Sequence, residues 1–335
     1  MKRQGGTRMD RPFACGLLLT LVATGCAHRV SEIKPDVHEV QSARAGGPQL
    51  FSSPGEAAAA LGQAVQAEDR ASLLKIFGAG SAGLFESGDP VADRNAFEKF
   101  SAHMKAKHSV EAQGDGRYVL LVGEKDWPFP IPIVRDGGQW SFDVSAGREE
   151  ILDRRIGENE LKTIRFVRSY VEAQKDYFRE DPDGDRAHQY AQRAFSSAGR
   201  KDGLYWQSKD QNDQSPFGPE AAEAVREGYR RKGEQPIPFH GYFFKILTAQ
   251  GARAAGGKKS YLDKHGNMTK GFALVAYPAR YGASGVMTFT VNQDGVVYEK
   301  DLGLQTLATA QDMTDFNPDE TWSPVADPRE DAVEE

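Results

Sequence analysis

The stretch from Asn159 to Gly184 reads NELKTIRFVRSYVEAQKDYFREDPDG, and its reading decides the fold. Ile164, Val167, Val171, Gln174 and Phe178 recur at helical spacing, with Lys162, Arg165, Arg168, Glu172, Lys175 and Asp176 interleaved. This predicts a long amphipathic helix capped at Asn159, preceded by a charged helical segment over 147–157 that carries Arg154 and Arg155. Asp181-Pro182-Asp183-Gly184 stops it, because proline cannot continue a helix and glycine accepts the backbone conformation that reverses the chain. A loop-rich connector follows through Lys201-Asp202-Gly203-Leu204-Tyr205-Trp206, then a helix over 219–230. Downstream the period becomes that of strands, over 241–248, 271–277, 286–291 and 296–300. Gly256-Gly257, the glycines of 282–285 and Asp294-Gly295 supply the joints.

Working upstream, Ser53-Pro54-Gly55-Glu56 is a capping-box pair with proline at the first helical position, where its missing N–H costs nothing. Further helices are expected from Asp69, ending at Gly78, and from Asp93, burying Phe97, Phe100 and Met104. Strands over 110–113, 117–122 and 139–143 come next. Trp127-Pro128-Phe129-Pro130-Ile131-Pro132 cannot be a central strand, since its prolines donate no hydrogen bonds, so it is expected as an edge or an aromatic strap. The fold class is therefore α+β: N-terminal helices plus an antiparallel sheet, then a long helix with a four-stranded antiparallel meander. The expected division is an N-terminal domain over 50–146 and a C-terminal one over 147–310. After Gln311 nine acidic residues face one basic residue, Arg329, which predicts a disordered acidic tail over 311–335.

The amino terminus carries Lys2, Arg3, Arg8 and Arg11 before the apolar run 13–22, which is shorter than the ~20 residues a bilayer span needs. The run ends in Ala23-Thr24-Gly25-Cys26, which resembles the lipobox of bacterial lipoproteins. The resemblance implies a signal peptide over 1–25, lipidation of Cys26 and a tether over 26–49. Three acyl chains anchor stably. It also implies a location on the periplasmic side of the cell envelope, with the outer membrane favoured because Ala27 and not aspartate follows the cysteine. Cleavage would remove Cys15 and four basic residues, leaving no pair of cysteines for a disulfide and lowering the net charge from −6 to about −9. That balance argues against nucleic acid as a partner.

Gly241-Tyr242-Phe243-Phe244, and Ala276-Tyr277-Pro278 followed by Gly285-Val286-Met287-Thr288-Phe289, resemble the globular half of type II secretion pseudopilins. The charges along 161–178 depart from that family, whose helix begins as a membrane span, so the resemblance supports a fold and not filament assembly. The strap at 127–132, Arg154-Arg155-Ile156-Gly157-Glu158-Asn159-Glu160-Leu161, the 201–206 segment and His240-Gly241-Tyr242 together resemble a bacterial domain-of-unknown-function family, number 2950, over nearly all of 51–322. This implies architecture and location without implying chemistry.

The motifs of common enzymes are missing. No Gly-x-Ser-x-Gly elbow, P-loop or dinucleotide fingerprint occurs. His103 and His108 are five apart and do not share a helix face, and a calcium loop starting at Asp181 would need glycine at Arg186 and an acid at Gln192. No metal and no cofactor is expected. The remaining candidates are Lys201, Asp202, Tyr205 and Trp206 in the connector, Arg154, Arg155 and Glu160 near a helix junction, and His240 at a strand start. The expected role is non-enzymatic binding of an envelope protein, peptide or glycan, with exposed Tyr205 and Trp206 as anchors. The alternative is an envelope-polymer hydrolase using His240 with Asp202 or Lys201.

Overall fold

Asp143 opens the longest of the described elements by accepting a hydrogen bond from the Ala146 N–H. The computed structural model describes residues 46–114, 116–184, 188–208, 210, 213–218, 224 and 237–326. Cys26, the signal and tether segments, residues 327–335 and, Ala224 apart, the helix expected over 219–230 lie outside them. Among the described residues no helix is long and apolar enough to cross a membrane.

The amino-terminal half begins with α1, Pro54–Gln66, whose N-cap Ser53 accepts from Glu56 N. The Glu56 carboxylate reaches back to Ser52 and not to Ser53, bonding its N–H at 2.9 Å and its hydroxyl. Next come α2, Arg70–Phe77, capped by Asp69, and α3, Pro90–Ala106. The third helix starts earlier than Asp93 because Asp89 is its cap and Pro90 its first residue. Asp89 accepts from the N–H groups of Val91 and Ala92 at 3.0 Å. Strands β1, His108–Ala112, β2, Arg117–Val122, β3, Trp127–Pro128, β4, Ile133–Asp136, and β5, Gln139–Phe142, form one antiparallel sheet. The proline-rich strap is a broken strand along β2. Trp127 pairs with Val122 and Ile133 with Tyr118, and the prolines of 130–132 occupy the gap.

A single helix, α4, spans Val144–Glu180, so Asn159 lies in mid-helix and caps nothing. The expected break fails for a physical reason: Gly157 costs only about 1 kcal/mol in a helix interior and Asn159 less, too little to interrupt a helix packed along its length. Glu150–Arg154 at 2.6 Å and Glu158–Lys162 at 2.9 Å are i,i+4 pairs that support the helix on both sides of Gly157. The buried Asn159 amide instead donates to the Ser284 carbonyl at 2.9 Å, 125 residues away.

The meander packs on α4. Strands β6, Tyr242–Leu247, β9, Ala273–Pro278, β10, Met287–Asn292, and β11, Tyr298–Asp301, lie in the order β6-β9-β10-β11. The hairpin of β7, Ala249–Gln250, and β8, Lys259–Ser260, leaves this sheet after β6. The acidic segment corrects the expectation of disorder as far as residue 326. Helix α5, Thr306–Asp312, is followed by Phe316, which is buried, and by β12, Ser323–Pro324, which pairs with β11. Apolar side chains decide this, and the acids find local partners: Asp319 accepts from Thr321 N at 3.0 Å and pairs with Arg253.

Two hydrophobic cores result. One gathers Phe51, Leu61, Phe77, Met104, Leu120, Ile133 and Phe142, and the other Val167, Tyr170, Tyr242, Tyr261, Phe272 and Phe289. Both belong to one compact unit, Ala45–Glu335.

Candidate functional site

A small, half-open cleft of about 230 Å³ lies beside the last turn of α4. Tyr177, Asp183 and Gln189 line one part of it; Tyr190, Ala191, Gln192, Arg193 and Asp202 complete it. Asp181 makes the geometry possible by taking the left-handed conformation, φ 48°, at the helix C-cap, which turns the chain back beside α4. Gln174, fully buried, then fixes the returning strand: its amide donates to the Ala191 carbonyl and accepts from the Ala191 N–H, each at 2.8 Å. Tyr190 N donates to the Met268 carbonyl at 2.8 Å, and the Gln192 amide to the Gly266 carbonyl at 2.8 Å, tying the cleft wall to the second core.

The connector closes the other side. Tyr205 N donates to Ala194 O at 2.9 Å and Ser196 N to Tyr205 O at 2.8 Å. Gly203 is required in this ladder, since a Cβ there would come within 2.8 Å of the Phe195 backbone. Asp202 accepts from Ser197 N at 2.7 Å and Ser197 Oγ at 2.9 Å. Burial pushes its carboxyl up, but the Ser197 bonds and Arg193, 3.9 Å away, outweigh that and leave it below the ordinary range. The Tyr177 hydroxyl donates to the Lys201 carbonyl at 2.7 Å and lies 3.3 Å from Asp183, whose carboxylate also accepts from Gln189 at 3.2 Å. Burial raises the Tyr190 hydroxyl above its usual pKa, and its ring stacks on Phe178 at 4.6 Å.

Of the connector residues expected to bind, Asp202 lines the cleft and Lys201 lies beside it, its ammonium 2.6 Å from Asp213 and over the Trp206 ring at 5.1 Å. The expectation that the aromatic pair is exposed is corrected. Trp206 is buried in the second core, with its indole N–H 3.2 Å from both the Asp213 carbonyl and its carboxylate, and Tyr205 is half-buried. Phe195 is the exposed ring of the loop, edge-on to Tyr205 at 5.7 Å. A buried indole serves folding: truncating one costs about 3–5 kcal/mol.

The remaining candidates sit elsewhere. Glu160 accepts from Val286 N at 2.8 Å, Met287 N at 3.0 Å and the Tyr242 hydroxyl at 3.4 Å, starting β10. Arg155 donates to the Leu84 carbonyl, while Arg148 reaches Gly80 O at 2.9 Å and Arg280 reaches Glu86 O at 3.0 Å. Three guanidinium groups thus hold the 3-10 turn Ala79–Leu84 and the residues just after it, ahead of α3. Arg154 pairs with Glu150 and covers Trp127 at 5.3 Å. His240 is buried, with Lys162, Glu158 and Arg165 of α4 as its charged surroundings. Lys201 meets the same helix at Tyr177, so at 1.5 Å per residue the two places are roughly 20–30 Å apart along α4. The structure does not bring His240 to Asp202 or Lys201.

The cleft residues Gln189, Tyr190, Gln192 and Arg193 escaped the sequence reading. No spacing marks them, because their convergence depends on the reversal at Asp181 and the lock at Gln174. Among the described residues no group of three or more His, Cys, Asp or Glu side chains could hold a metal ion.

No curated protein and no solved structure matches the chain. A family model does, over residues 48–325, which takes in both cores, the whole of α4 and the cleft. The chain belongs to that family, described as protein of unknown function (DUF2950).

Proposed function

We propose that this is a lipid-anchored protein of the bacterial cell envelope that binds a polar partner in the cleft at the end of α4. The observation that carries the binding reading is the cleft itself: Tyr177, Gln192 and Asp202 are held by bonds to backbone groups, and Asp183, Gln189 and Arg193 by bonds to neighbouring side chains, so the polar groups are already oriented before a ligand arrives. The anchoring reading rests on Ala23-Thr24-Gly25-Cys26 behind a short apolar run. The hydrolase reading loses its support because its histidine and its carboxylate or lysine partner occupy different stretches of α4.

Labelling of growing cells with palmitate tests the anchor. The full chain should incorporate label and fractionate with membranes, and Cys26→Ala should lose both; equal labelling of the variant overturns the anchor. Incubating the full chain with isolated envelope polymers tests binding against hydrolysis. Retention of intact polymer supports binding, whereas release of fragments that stops in His240→Asn would overturn it.

A further inference from the structure

We propose that two copies of this chain pair edge to edge through strand β1, antiparallel about a two-fold axis at Val110, so that their amino-terminal sheets become one. Strand β1 bonds β2 on one side, from His108 opposite Val122 to Ala112 opposite Tyr118. Gln113 N donates to Arg117 O at 2.9 Å and Gly123 N to Lys107 O at 2.8 Å, which sets the alternation between them. Ser109 and Glu111 therefore exchange bonds with β2, while His108, Val110 and Ala112 aim their N–H and C=O groups away from it. No described residue bonds those outward groups. Val110 is half-buried, and the other residues of the strand are exposed.

An open edge of this kind is a template for another strand, and proteins blunt it with proline, a bulge or a cover. The opposite edge of the same sheet is covered: Phe51 N donates to Trp140 O at 2.8 Å and Trp140 N to Phe51 O at 2.9 Å, which closes β5. Strand β1 contains no proline and pairs with β2 residue for residue, without a bulge.

The pattern of β1 selects a second copy as its occupant. Turned about Val110, the strand matches itself: Val110 meets Val110 of the second copy and His108 meets Ala112, each pair exchanging both N–H···O bonds. Val110 packs against the first core, which leaves Ser109 and Glu111 on the solvent face. There Glu111 lies opposite Ser109 of the second copy and diagonal to Lys107 of the second copy, within reach of an ion pair. Glu111 makes no ion pair among the described residues, and Lys107, 2.7 Å from Asp126, is exposed enough to take a second carboxylate. A foreign extended peptide would gain the same backbone bonds with only Ser109 and Glu111 to select its sequence. Assembly stops at two, because pairing uses up the open edge and β5 is closed in both copies.

Sedimentation of the purified full chain, in a large excess of detergent micelles so that two chains do not share one by chance, tests this. The proteins are wild type, Ala112→Pro and Glu111→Lys, with a thermal midpoint recorded for each. Ala112→Pro removes an outward N–H that the fold does not use, and Glu111→Lys sets like charges side by side. The expected result is a reversible wild-type dimer whose dissociation constant rises roughly tenfold or more in both variants at an unchanged midpoint. A further protein carrying Ser109→Cys and Glu111→Cys together should form an intermolecular disulfide under mild oxidation that wild type does not form, since opposed residues of a non-bonded pair stand within disulfide range. Where a substitution lowers the midpoint, the cysteine pair decides: a trapped dimer supports the pairing and its absence overturns it. A chain that is monomeric at every concentration overturns the proposal, as does a dimer that keeps its affinity in either folded variant, or a ladder of larger oligomers.

Discussion

His240 stands at φ 49°, a conformation that non-glycine residues rarely adopt, and Gly241 follows at φ 77°. The pair is held there because the Gly241 N–H donates to the buried Asp89 at 2.9 Å, and a Cβ on Gly241 would come within 2.6 Å of the Asn159 amide. Burial first, then the positive charge of Lys162 and Arg165, pushes the His240 imidazole down to about 4, with Glu158 opposing. The folded state therefore favours the neutral ring. Its stabilising contribution is full above pH 6.5, the unfolded value, and is lost as pH falls from there to about 4. The shift corresponds to a loss on the order of 3 kcal/mol. His240→Asn keeps a residue that tolerates positive φ and removes the titration, so urea midpoints of variant and wild type should converge from pH 7 to pH 4; a constant gap would show that His240 does not titrate against the fold. None of this was legible at residue level in the sequence. His240 was visible as a candidate, but its burial depends on α4, some 80 residues earlier.

Helix α4 shows what sequence conveys about an element and where it misleads. Its apolar stripe and its stop at Asp181 were legible, because both depend on residues within a turn or two. Its true start at Asp143 was missed, since Gly157 and Asn159 locally resemble a break and a cap. Gly157 has nothing within 4 Å of a hypothetical Cβ and no positive φ. Gly157→Ala should therefore stabilise the protein by about 0.5–1 kcal/mol, through helix propensity and a less flexible unfolded chain. A denaturant titration checks this, and a destabilised variant would mean that position 157 needs glycine for a reason other than space or positive φ. Gly147 is the opposite case within the same helix: a Cβ there would come within 2.8 Å of the Ile131 backbone, so the strap and the helix touch only through glycine.

For the whole molecule, the two cores are joined by a helix of 37 residues and by long-range bonds that cross between them. Arg280 reaches Glu86 O, Asp89 accepts from Gly241 N, and Arg155 holds Leu84 O. Loss of either core would strip partners from buried polar groups of the other, which couples their unfolding. Scanning calorimetry should show one transition with calorimetric and van't Hoff enthalpies in agreement; two resolved peaks would mean that the cores melt independently. The sequence by itself determined the α+β class, the capped starts of α1 and α2 and the meander order, because caps, turn glycines and periodicity act over a few neighbouring residues. Only the tertiary structure decided that Trp206 is core, that Asn159 bonds Ser284, that residues 311–326 pack onto the sheet, and that Asp183, Gln192 and Asp202 share a cleft. Each of those outcomes depends on which distant surface a residue meets, and a buried group's partners are chosen by the packing of the chain around it and not by its neighbours in sequence.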